Sequence, residues 1–288
     1  MKWACILALL LMAMPVCAQP SPAPCDACAD APQAPFRIYG NTYYVGPHGL
    51  SAILITSDKG HVLIDGALAE SAPLIEGNIR TLGFRPEDIK LILNSHVHFD
   101  HAGGIAALSR LSGAQVAASA WSAAVLKNGR PGIDDPQHDI ARSVAPIARV
   151  RVIRDAEIVH AGGLALTAHL TPGHTPGGTS WTWTSCEAGR CLHIVYADSL
   201  TAVSADGYRF TAHPGLLHGF DGSFATLEAL PCDILLSPHP GFSGLFEHLK
   251  AREDGQADAL IAPDACRRYV AGMREILHKR IAREETGK

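Results

Sequence analysis

A cluster of four potential metal ligands constrains this chain more than any other feature of its sequence. Residues 94–101 read NSHVHFDH, and they contain His96, His98, Asp100 and His101. The cluster begins at the end of a short continuous apolar run, KLILNSH at residues 90–96, of the kind expected for a strand that is buried on both faces. Burying three imidazoles and a carboxylate at one strand end without a metal would cost considerable free energy. The pattern therefore predicts a metal site at the end of a buried strand.

The spacing within the cluster predicts two neighbouring metal sites. Alternate residues of an extended chain point the same way, so His96 and His98 can face one point. Asp100 and His101 fall at the predicted start of a helix and would face a second point beside the first. Neutral imidazoles together with a carboxylate suit zinc.

Two further histidines lie in segments that could complete the two coordination spheres. His174 lies in LTPGHTPGG, where proline and glycine break a strand, and His239 lies in LLSPHP, directly after another buried apolar run. Taken alone, either residue would more often be a capping or core histidine than a ligand. Sites in α/β folds usually form on loops at strand ends, and this position makes both histidines candidates.

The pattern of strands and helices predicts one α/β domain with two packed sheets and helices outside. Strand-like runs lie at 36–46, 51–58, 61–67, 90–96, 115–119, 164–170, 179–185, 192–198 and 233–239. Helical spacing lies at 70–82, 102–111, 118–129 and 223–230, and a long terminal helix is expected over 256–286. A loop rich in proline, glycine and aspartate spans residues 129–147, and long loops of this kind are often functional.

The N-terminal residues predict a cleaved secretory signal. A lysine precedes an apolar stretch, and VCA at residues 16–18 offers small residues before a cleavage point. The stretch is shorter than the roughly 20 residues that a membrane span needs, so a membrane anchor is the less favoured alternative. We expect residues 1–18 to be the signal peptide, 19–35 a flexible leader, and 36–288 the single domain of a periplasmic protein.

Six of the eight cysteines follow this signal, an even number that suggests disulfides in an exported protein. Cys186 and Cys191 flank a short EAGR segment between two strand-like runs, which favours a bond between them. Cys232 would then pair with Cys266 and tie a strand to the C-terminal helix. The remaining pair lies in CDAC at residues 25–28, and it could be a local bridge, a free pair or part of a metal site.

Composition narrows the class of partner. The formal net charge is −4 and no basic run stands out, so a nucleic-acid partner is not expected. The chain is 47% hydrophobic and 18% charged, which is typical of a globular protein and not of a disordered one. Nothing in the pattern indicates an obligate interface, so we expect a monomer that acts on a small molecule.

Three motifs together resemble those of a known family. HVHFDH, TPGHTPGG and SPHP, in this order, resemble the metallo-β-lactamase superfamily, and the similarity extends from about Phe36 to the C-terminal helix. The intact HxHxDH motif, the YADSLTA segment, the PCD and ACRRY cysteines and the secretory signal are similar to the third subclass of class B β-lactamases. The resemblance implies an αββα sandwich of two mixed β-sheets flanked by helices, with a two-zinc site between the sheets.

The resemblance also implies roles for individual residues. The implied ligands are His96, His98 and His174 for zinc 1, and Asp100, His101 and His239 for zinc 2. A cysteine ligates zinc 2 in the other broad-spectrum subclass, and Ser199 matches that position here. Ser199 and Thr201 are implied to hydrogen-bond the carboxylate of a substrate, and Gln137 is expected to line the cleft.

Such a site implies zinc-dependent hydrolysis of the β-lactam amide bond of penicillins, cephalosporins and carbapenems, and hence antibiotic resistance. Two zinc ions about 3.5–4 Å apart can share a hydroxide that attacks the carbonyl at neutral pH. Asp100 is expected both to ligate zinc 2 and to orient this hydroxide. The chain contains no GxSxG or SxxK motif that would support a serine mechanism.

Two alternatives remain open at the level of sequence. The first is another exported hydrolase of the same superfamily that acts on a lactone or a thioester. In such enzymes an aspartate in a similar segment bridges both metals, and Asp198 in YADSL lies at a comparable place, although it would only brace the loop in a β-lactamase. The second is a non-catalytic periplasmic zinc-binding protein, which the open coordination of the Asp100 site argues against.

Overall fold

A computed structural model describes residues 30–287 of the chain. The predicted signal peptide and most of the predicted leader lie outside it. The described end of the leader is attached to the domain. The N–H of His48 donates to the Ala31 carbonyl over 2.8 Å, and the side-chain amide of Asn78 donates to the Gln33 carbonyl over 3.0 Å.

Two β-sheets form the centre of the described region. The first contains β1 (Phe36–Tyr39), β2 (Thr42–Tyr44), β3 (Ile53–Ile55), β4 (His61–Ile64), β5 (Ile89–Leu93), β6 (Gln115–Ser119) and β7 (Val150–Ile153), in this order. The second contains β8 (Ile158–Ala161), β9 (Leu164–Leu170), β10 (Thr179–Glu187), β11 (Arg190–Tyr196) and β12 (Ile234–Leu236), also in order. The pairs from β4 to β7 and the pair β11–β12 are parallel, whereas the others are antiparallel. Both sheets are therefore mixed, as predicted.

Helices lie on the outer face of each sheet. The described helices are α1 (Ala72–Thr81), α2 (Phe99–Ala102), α3 (Ile105–Ser112), α4 (Ala120–Asn128), α5 (Pro214–Ala229), α6 (Leu245–Glu253) and α7 (Ala265–Thr286). Among them, α6 differs because its buried Leu245 packs into the core between the sheets. One outer core joins the first sheet to α1, α3 and α4, and the other joins the second sheet to α5 and α7. The αββα sandwich is confirmed.

Between residues 30 and 287, no helix has both the length and the apolar character needed to cross a membrane.

The alternation of side chains in β5 shows how one strand serves two cores. Ile92 packs into the outer core with Ile75 of α1 and Ile105 of α3. Its neighbours Leu91 and Leu93 point the other way, into the core between the sheets. Because successive strand residues face opposite sides of a sheet, a continuous apolar run is required in a strand that is covered on both faces. The interpretation of KLILNSH as a buried strand is confirmed, although the strand ends at Leu93, before the histidines.

Two tryptophans fill the core between the sheets, and each uses its indole N–H. Trp183 donates to the hydroxyl of Thr42 over 3.0 Å. Trp181 is fully buried and donates over 3.2 Å to the carbonyl of Asn94, at the start of the histidine cluster. A buried indole requires such a partner, so the inner core also supports the chain that leads to the candidate site.

Three predicted helices have different bounds in the structure. The predicted helix over 256–286 begins only at Ala265, because Pro263 lacks the N–H that a helix interior needs. The predicted helix over 223–230 begins earlier, at Pro214, a position in the first turn that suits proline. The predicted helix over 102–111 is divided into α2 and α3 at a pair of glycines. A Cβ at the second, Gly104, would lie 2.2 Å from the Gly66 carbonyl oxygen, so only glycine permits this backbone contact.

Three elements were not predicted from the sequence. The edge strands β7 and β8 each pair on one side only, and each contains exposed positions and one polar side chain, Arg151 in β7 and His160 in β8, so neither forms a continuous apolar run. Helix α6 buries only Leu245 and is otherwise largely polar, which leaves little hydrophobic periodicity to detect.

Both predicted disulfides are present. Cys186 pairs with Cys191 across the β10–β11 hairpin, where the two residues are also register partners. Cys232, just before β12, pairs with Cys266 in the first turn of α7. The CDAC cysteines, with the rest of residues 1–29, lie outside the described residues.

Candidate metal centre

The six predicted ligands lie on loops and one short helix at strand ends of both sheets. Four follow β5 directly, one lies between β9 and β10, and one follows β12. They are His96, His98, Asp100, His101, His174 and His239. Residues from two sheets therefore converge on one edge of the sandwich.

The structure brings these side chains together in two adjacent groups. The first triad is His96, His98 and His174, and the second triad is Asp100, His101 and His239. Within each triad the candidate ligand atoms all lie within 4.8 Å of one another. The ring centroids of His96 and His101 are 4.4 Å apart, so the triads are neighbours. These groups have the same members as the ligand sets implied for zinc 1 and zinc 2.

An unpartnered ring nitrogen in the first triad fits a metal ion. The Nδ1 of His96 donates a hydrogen bond to Oδ1 of Asp198 over 2.8 Å, which leaves Nε2 available. This Nε2 is buried and has no hydrogen-bond partner among residues 30–287. A buried nitrogen without a partner costs free energy. A metal-ligating histidine uses such a nitrogen and donates its other N–H to a carboxylate.

The other two rings of the first triad are held in the same way. The Nδ1 of His174 donates to the carbonyl oxygen of Thr201 over 2.9 Å. The Nε2 of His98 lies 3.2 Å from each carboxylate oxygen of Asp135. Each ring therefore has one nitrogen bound to the protein and one nitrogen directed to the triad.

Burial keeps three imidazoles of the two triads in the neutral form that metal binding requires. Loss of solvent, reinforced by the neighbouring imidazoles, lowers the pKa of His96 well below its usual value. The same causes lower the pKa of His174 to about 3 and that of His239 to about 4. Only a neutral imidazole has a lone pair for a metal, and at neutral pH these three have one.

The second triad favours a positive charge at its centre. Asp100 Oδ2 lies 3.2 Å from His101 Nε2 and 3.5 Å from His239 Nε2, and the two ring nitrogens are 3.1 Å apart. Burial opposes charge on both Asp100 and His101. Their mutual attraction nevertheless lowers the pKa of Asp100 and raises that of His101. A carboxylate and two nitrogens that converge on one point suit a divalent cation such as zinc.

The Asp198 carboxylate contacts His96 of the first triad and, within residues 30–287, makes no ion pair with a histidine of the second triad. Its Oδ1 contacts His96 at the ring nitrogen that is not available to a metal. Its Oδ2 is buried without a hydrogen-bond partner in the described part of the chain, and a Cβ at Gly178 would lie only 2.5 Å from it. These contacts are those of a carboxylate that orients His96 by a hydrogen bond, and they differ from those of a carboxylate that faces both triads.

Gln137 and Thr201, two of the three residues expected to contact a substrate, lie beside the first triad. Gln137 Nε2 is 3.3 Å from His174 Nε2 and 3.4 Å from His98 Nδ1. The hydroxyl of Thr201 is 3.0 Å from Nδ1 of His174, so Thr201 contacts this ring through both its carbonyl and its side chain. Ser199, the third, is buried in the loop after β11.

Tyr269 of α7 holds this loop, and none of the sequence motifs indicated a role for it. Its hydroxyl donates to the Asp198 carbonyl over 2.8 Å and accepts the Leu200 N–H over 3.2 Å. The two contacts flank Ser199 on either side. The only sequence signal was the position of Tyr269 in ACRRY, near Cys266.

Asp65 is a second residue for which no sequence motif indicated a role. It accepts hydrogen bonds from the N–H of Ser95 over 2.8 Å, the hydroxyl of Ser95 over 2.6 Å and the hydroxyl of Tyr196 over 2.8 Å. These contacts hold the residue that precedes His96. Asp65 has a φ of 61°, which is costly for a residue other than glycine and is typical of functional regions. Its place at the end of HVLID, directly after a buried strand, was the available signal.

The comparisons with known proteins agree with this geometry. Residues 45–187 match the family described as the Metallo-beta-lactamase superfamily. The solved structure of Rm3 metallo-beta-lactamase is 53% identical, with a TM-score of 0.88, over 91% of this chain and 99% of that one. The structure of MEM-A1, a subclass B3 metallo-beta-lactamase isolated from a soil metagenome library, is 48% identical, with a TM-score of 0.88, over 90% and 100%.

A curated relative is more distant. The hydroxyacylglutathione hydrolase of Anaeromyxobacter dehalogenans (strain 2CP-C) is 32% identical over 209 residues, which are 71% of this chain and 63% of that protein. This chain thus spans less than two-thirds of the curated relative, whereas it spans nearly all of the two solved structures. From the identity and coverage of those structures we conclude that the chain belongs to the metallo-β-lactamase superfamily and shares its architecture with subclass B3 metallo-β-lactamases.

Proposed function

We propose that this protein hydrolyses the amide bond of β-lactams, including penicillins, cephalosporins and carbapenems, and so confers antibiotic resistance. The observation that carries the proposal is the pair of adjacent triads, in which six side chains direct nitrogen or carboxylate atoms to two points. The similarity to two metallo-β-lactamases over nearly their whole length supports it.

The donor set fits two zinc ions. We assign His96, His98 and His174 to one ion, and Asp100, His101 and His239 to the other. When bound, the ions would polarise the β-lactam carbonyl and lower the pKa of a water molecule enough to supply a nucleophile near neutral pH. The buried, unpartnered Nε2 of His96 supports this assignment.

The protein's own residues would orient the reactants. Asp100 directs Oδ2 to the second triad, and its other oxygen would accept a hydrogen bond from the attacking water and so aim it at the carbonyl carbon. Gln137 would line the cleft and donate an amide N–H to the substrate beside the first triad. Ser199 and Thr201 would bind the substrate carboxylate, and Thr201 also orients His174.

A thioester or lactone hydrolase of the same superfamily is the second candidate. It is supported by the similarity to the hydroxyacylglutathione hydrolase and by the position of Asp198 after β11. The contact between Asp198 and His96 Nδ1 argues against it, because a bridging carboxylate would have to face both triads. We therefore favour the β-lactam substrate.

The N-terminal residues and the two disulfides indicate the cellular setting. We infer export to the periplasm by a signal peptide at residues 1–18, followed by a leader and a single domain over 36–288 that acts as a monomer. The Cys186–Cys191 and Cys232–Cys266 disulfides support an oxidising compartment.

The proposal is tested with the purified chain lacking residues 1–18. We expect two zinc ions per chain by metal analysis, and opening of the ring of a penicillin and of a carbapenem. A chelator should abolish this turnover and added zinc should restore it. The Asp100→Ala variant should lose one zinc ion and nearly all activity, whereas Asp206→Ala, which changes an exposed aspartate, should retain both.

The assay also separates the alternatives. Turnover of a glutathione thioester or an N-acyl homoserine lactone, with none of either β-lactam, would contradict the proposal and favour the second candidate. Two bound zinc ions without turnover of any of these substrates would favour a non-catalytic zinc-binding protein.

A further inference from the structure

We propose that Asp135 is a positioning residue that holds His98 of the first triad and Gln137 of the cleft in one arrangement, and so couples metal affinity to substrate contact. This inference rests on the proposed two-metal function. It adds a residue for which the sequence motifs indicated no role.

Asp135 is a buried carboxylate in an otherwise irregular loop. It is 1% exposed, whereas Asp134 beside it is exposed to solvent. Both of its oxygens lie 3.2 Å from Nε2 of His98. Oδ1 also accepts the backbone N–H of Gln137 over 2.7 Å. One side chain thus serves two donors, each belonging to a residue of the candidate site.

The contact with His98 decides which ring nitrogen can bind a metal. A carboxylate accepts hydrogen bonds, so it selects the tautomer of His98 that carries its proton on Nε2. The lone pair then resides on Nδ1, the atom that lies 3.4 Å from the amide of Gln137 at the first triad. Without the carboxylate, the ring would also populate the opposite tautomer, which cannot donate its Nδ1 lone pair.

The contact with Gln137 aims its side chain. An aspartate that binds the backbone N–H two residues later forms a tight turn, and this turn places the Gln137 amide 3.3 Å from His174 Nε2. The loop is anchored on its other side as well, because the Pro136 carbonyl accepts the Ala205 N–H over 2.9 Å. A change at Asp135 should therefore move a metal ligand and a cleft residue together.

A purely structural role for Asp135 is the competing explanation, and Asp134 provides a matched control. The Asp134 carboxylate accepts the indole N–H of Trp121 over 2.5 Å, so it holds the same loop. That contact involves neither His98 nor Gln137. Replacing either aspartate removes one negative charge and one anchor from the loop, but only one of the two contacts the site.

The experiment compares Asp135→Asn, Asp135→Ala, Asp134→Asn and Gln137→Ala. Zinc affinity is measured by competition with a chromophoric chelator, and the thermal midpoint is measured on the metal-free chains. We expect the Asp135 variants to weaken binding of one zinc ion by about 10- to 100-fold, with alanine more severe than asparagine. Asp134→Asn and Gln137→Ala should stay within about twofold of the parent affinity, a change of less than 0.5 kcal/mol at about 1.4 kcal/mol per tenfold.

Kinetics with a penicillin test the coupling to Gln137. The loss of kcat/KM caused by Gln137→Ala should be several-fold smaller when Asp135→Ala is already present, because the amide is then no longer aimed. Parent-like zinc affinity in both Asp135 variants, with only a lower thermal midpoint, would overturn the proposal in favour of a structural role. Independent, multiplicative losses of kcat/KM would overturn the link to Gln137.

Failure of the proposed function can be told apart from failure of this inference. Chelator competition requires no substrate, so it reports on His98 and Asp135 whatever the enzyme hydrolyses. A parent chain that binds two zinc ions and opens no β-lactam contradicts the proposed activity, while the zinc affinities of the Asp135 variants still decide the inference.

Discussion

Removal of the Cys232–Cys266 disulfide should destabilise the protein more than removal of Cys186–Cys191. The first bond closes a loop of 34 residues between the start of β12 and α7, and the second closes a loop of 5 residues within one hairpin. A disulfide restricts the unfolded chain, and this restriction increases with the length of the loop. The two bonds therefore allow one physical argument to be tested at two loop lengths in the same protein.

Chain entropy sets the expected magnitudes. The standard relation between loop length and entropy assigns about 3.8 kcal/mol to the 34-residue loop and about 2.1 kcal/mol to the 5-residue loop. The difference of about 1.7 kcal/mol depends only on the ratio of the two lengths. Cys232 and Cys266 are 7% and 2% exposed, so alanine is the suitable replacement, because serine would bury a hydroxyl group.

Urea unfolding of the two paired alanine variants provides the measurement. The chains should be metal-free, so that zinc binding does not contribute to the free energy of unfolding. We expect the Cys232→Ala/Cys266→Ala chain to have the lower midpoint, at a similar dependence on denaturant. Equal losses of stability in the two variants, or a larger loss in the hairpin variant, would refute the entropic reasoning.

Three further predictions concern the site and its supports. Tyr269→Phe leaves the Leu200 N–H without its acceptor, so urea unfolding should show a loss of about 1–3 kcal/mol in stability. Because the loop that carries Ser199 is then held less firmly, steady-state kinetics should show a higher KM at unchanged zinc content. In the metal-free protein, burial and the neighbouring His101 lower the pKa of His239 to about 4 from a usual 6.5. As the pH falls, His239 therefore binds a proton in the unfolded chain before it does so in the folded chain. The free energy of unfolding should therefore decrease by about 3 kcal/mol in total as the pH falls from about 6.5 towards 4. Thermal midpoints measured across this range should depend less on pH in His239→Gln than in the parent. Gly178→Ala should lower both zinc affinity and the thermal midpoint, because the added Cβ would lie 2.5 Å from Oδ2 of Asp198, which contacts His96. Gly222→Ala should lower neither, because the space around Gly222 is open.

Much of the fold followed from local patterns. The buried strand before the histidine cluster, the helices near residues 72–81 and 120–128 and both disulfides agree with expectation. These features depend on apolar periodicity or on short spacing, which neighbouring residues reveal directly. The two edge strands and α6 were missed because each buries few side chains, and their place depends on pairing with distant segments.

The clustering of candidate ligands was likewise visible in the sequence, but their supports were not. His96, His98, Asp100 and His101 stand out because imidazoles and a carboxylate rarely share so short a segment. Asp135 did not stand out, because a single aspartate in a loop rich in aspartate has no distinctive pattern. Its importance appears only where the loop meets His98.

The sequence by itself determined which residues are candidates for metal binding, because ligand chemistry belongs to the side chain and its spacing is local. The tertiary structure alone decided how those side chains are oriented. His96 meets Asp198 across 102 positions, and His98 meets Asp135 across 37. Contacts between such distant residues are set by the packing of two sheets and their loops, and this packing selects the ring nitrogen that each histidine can offer to a metal.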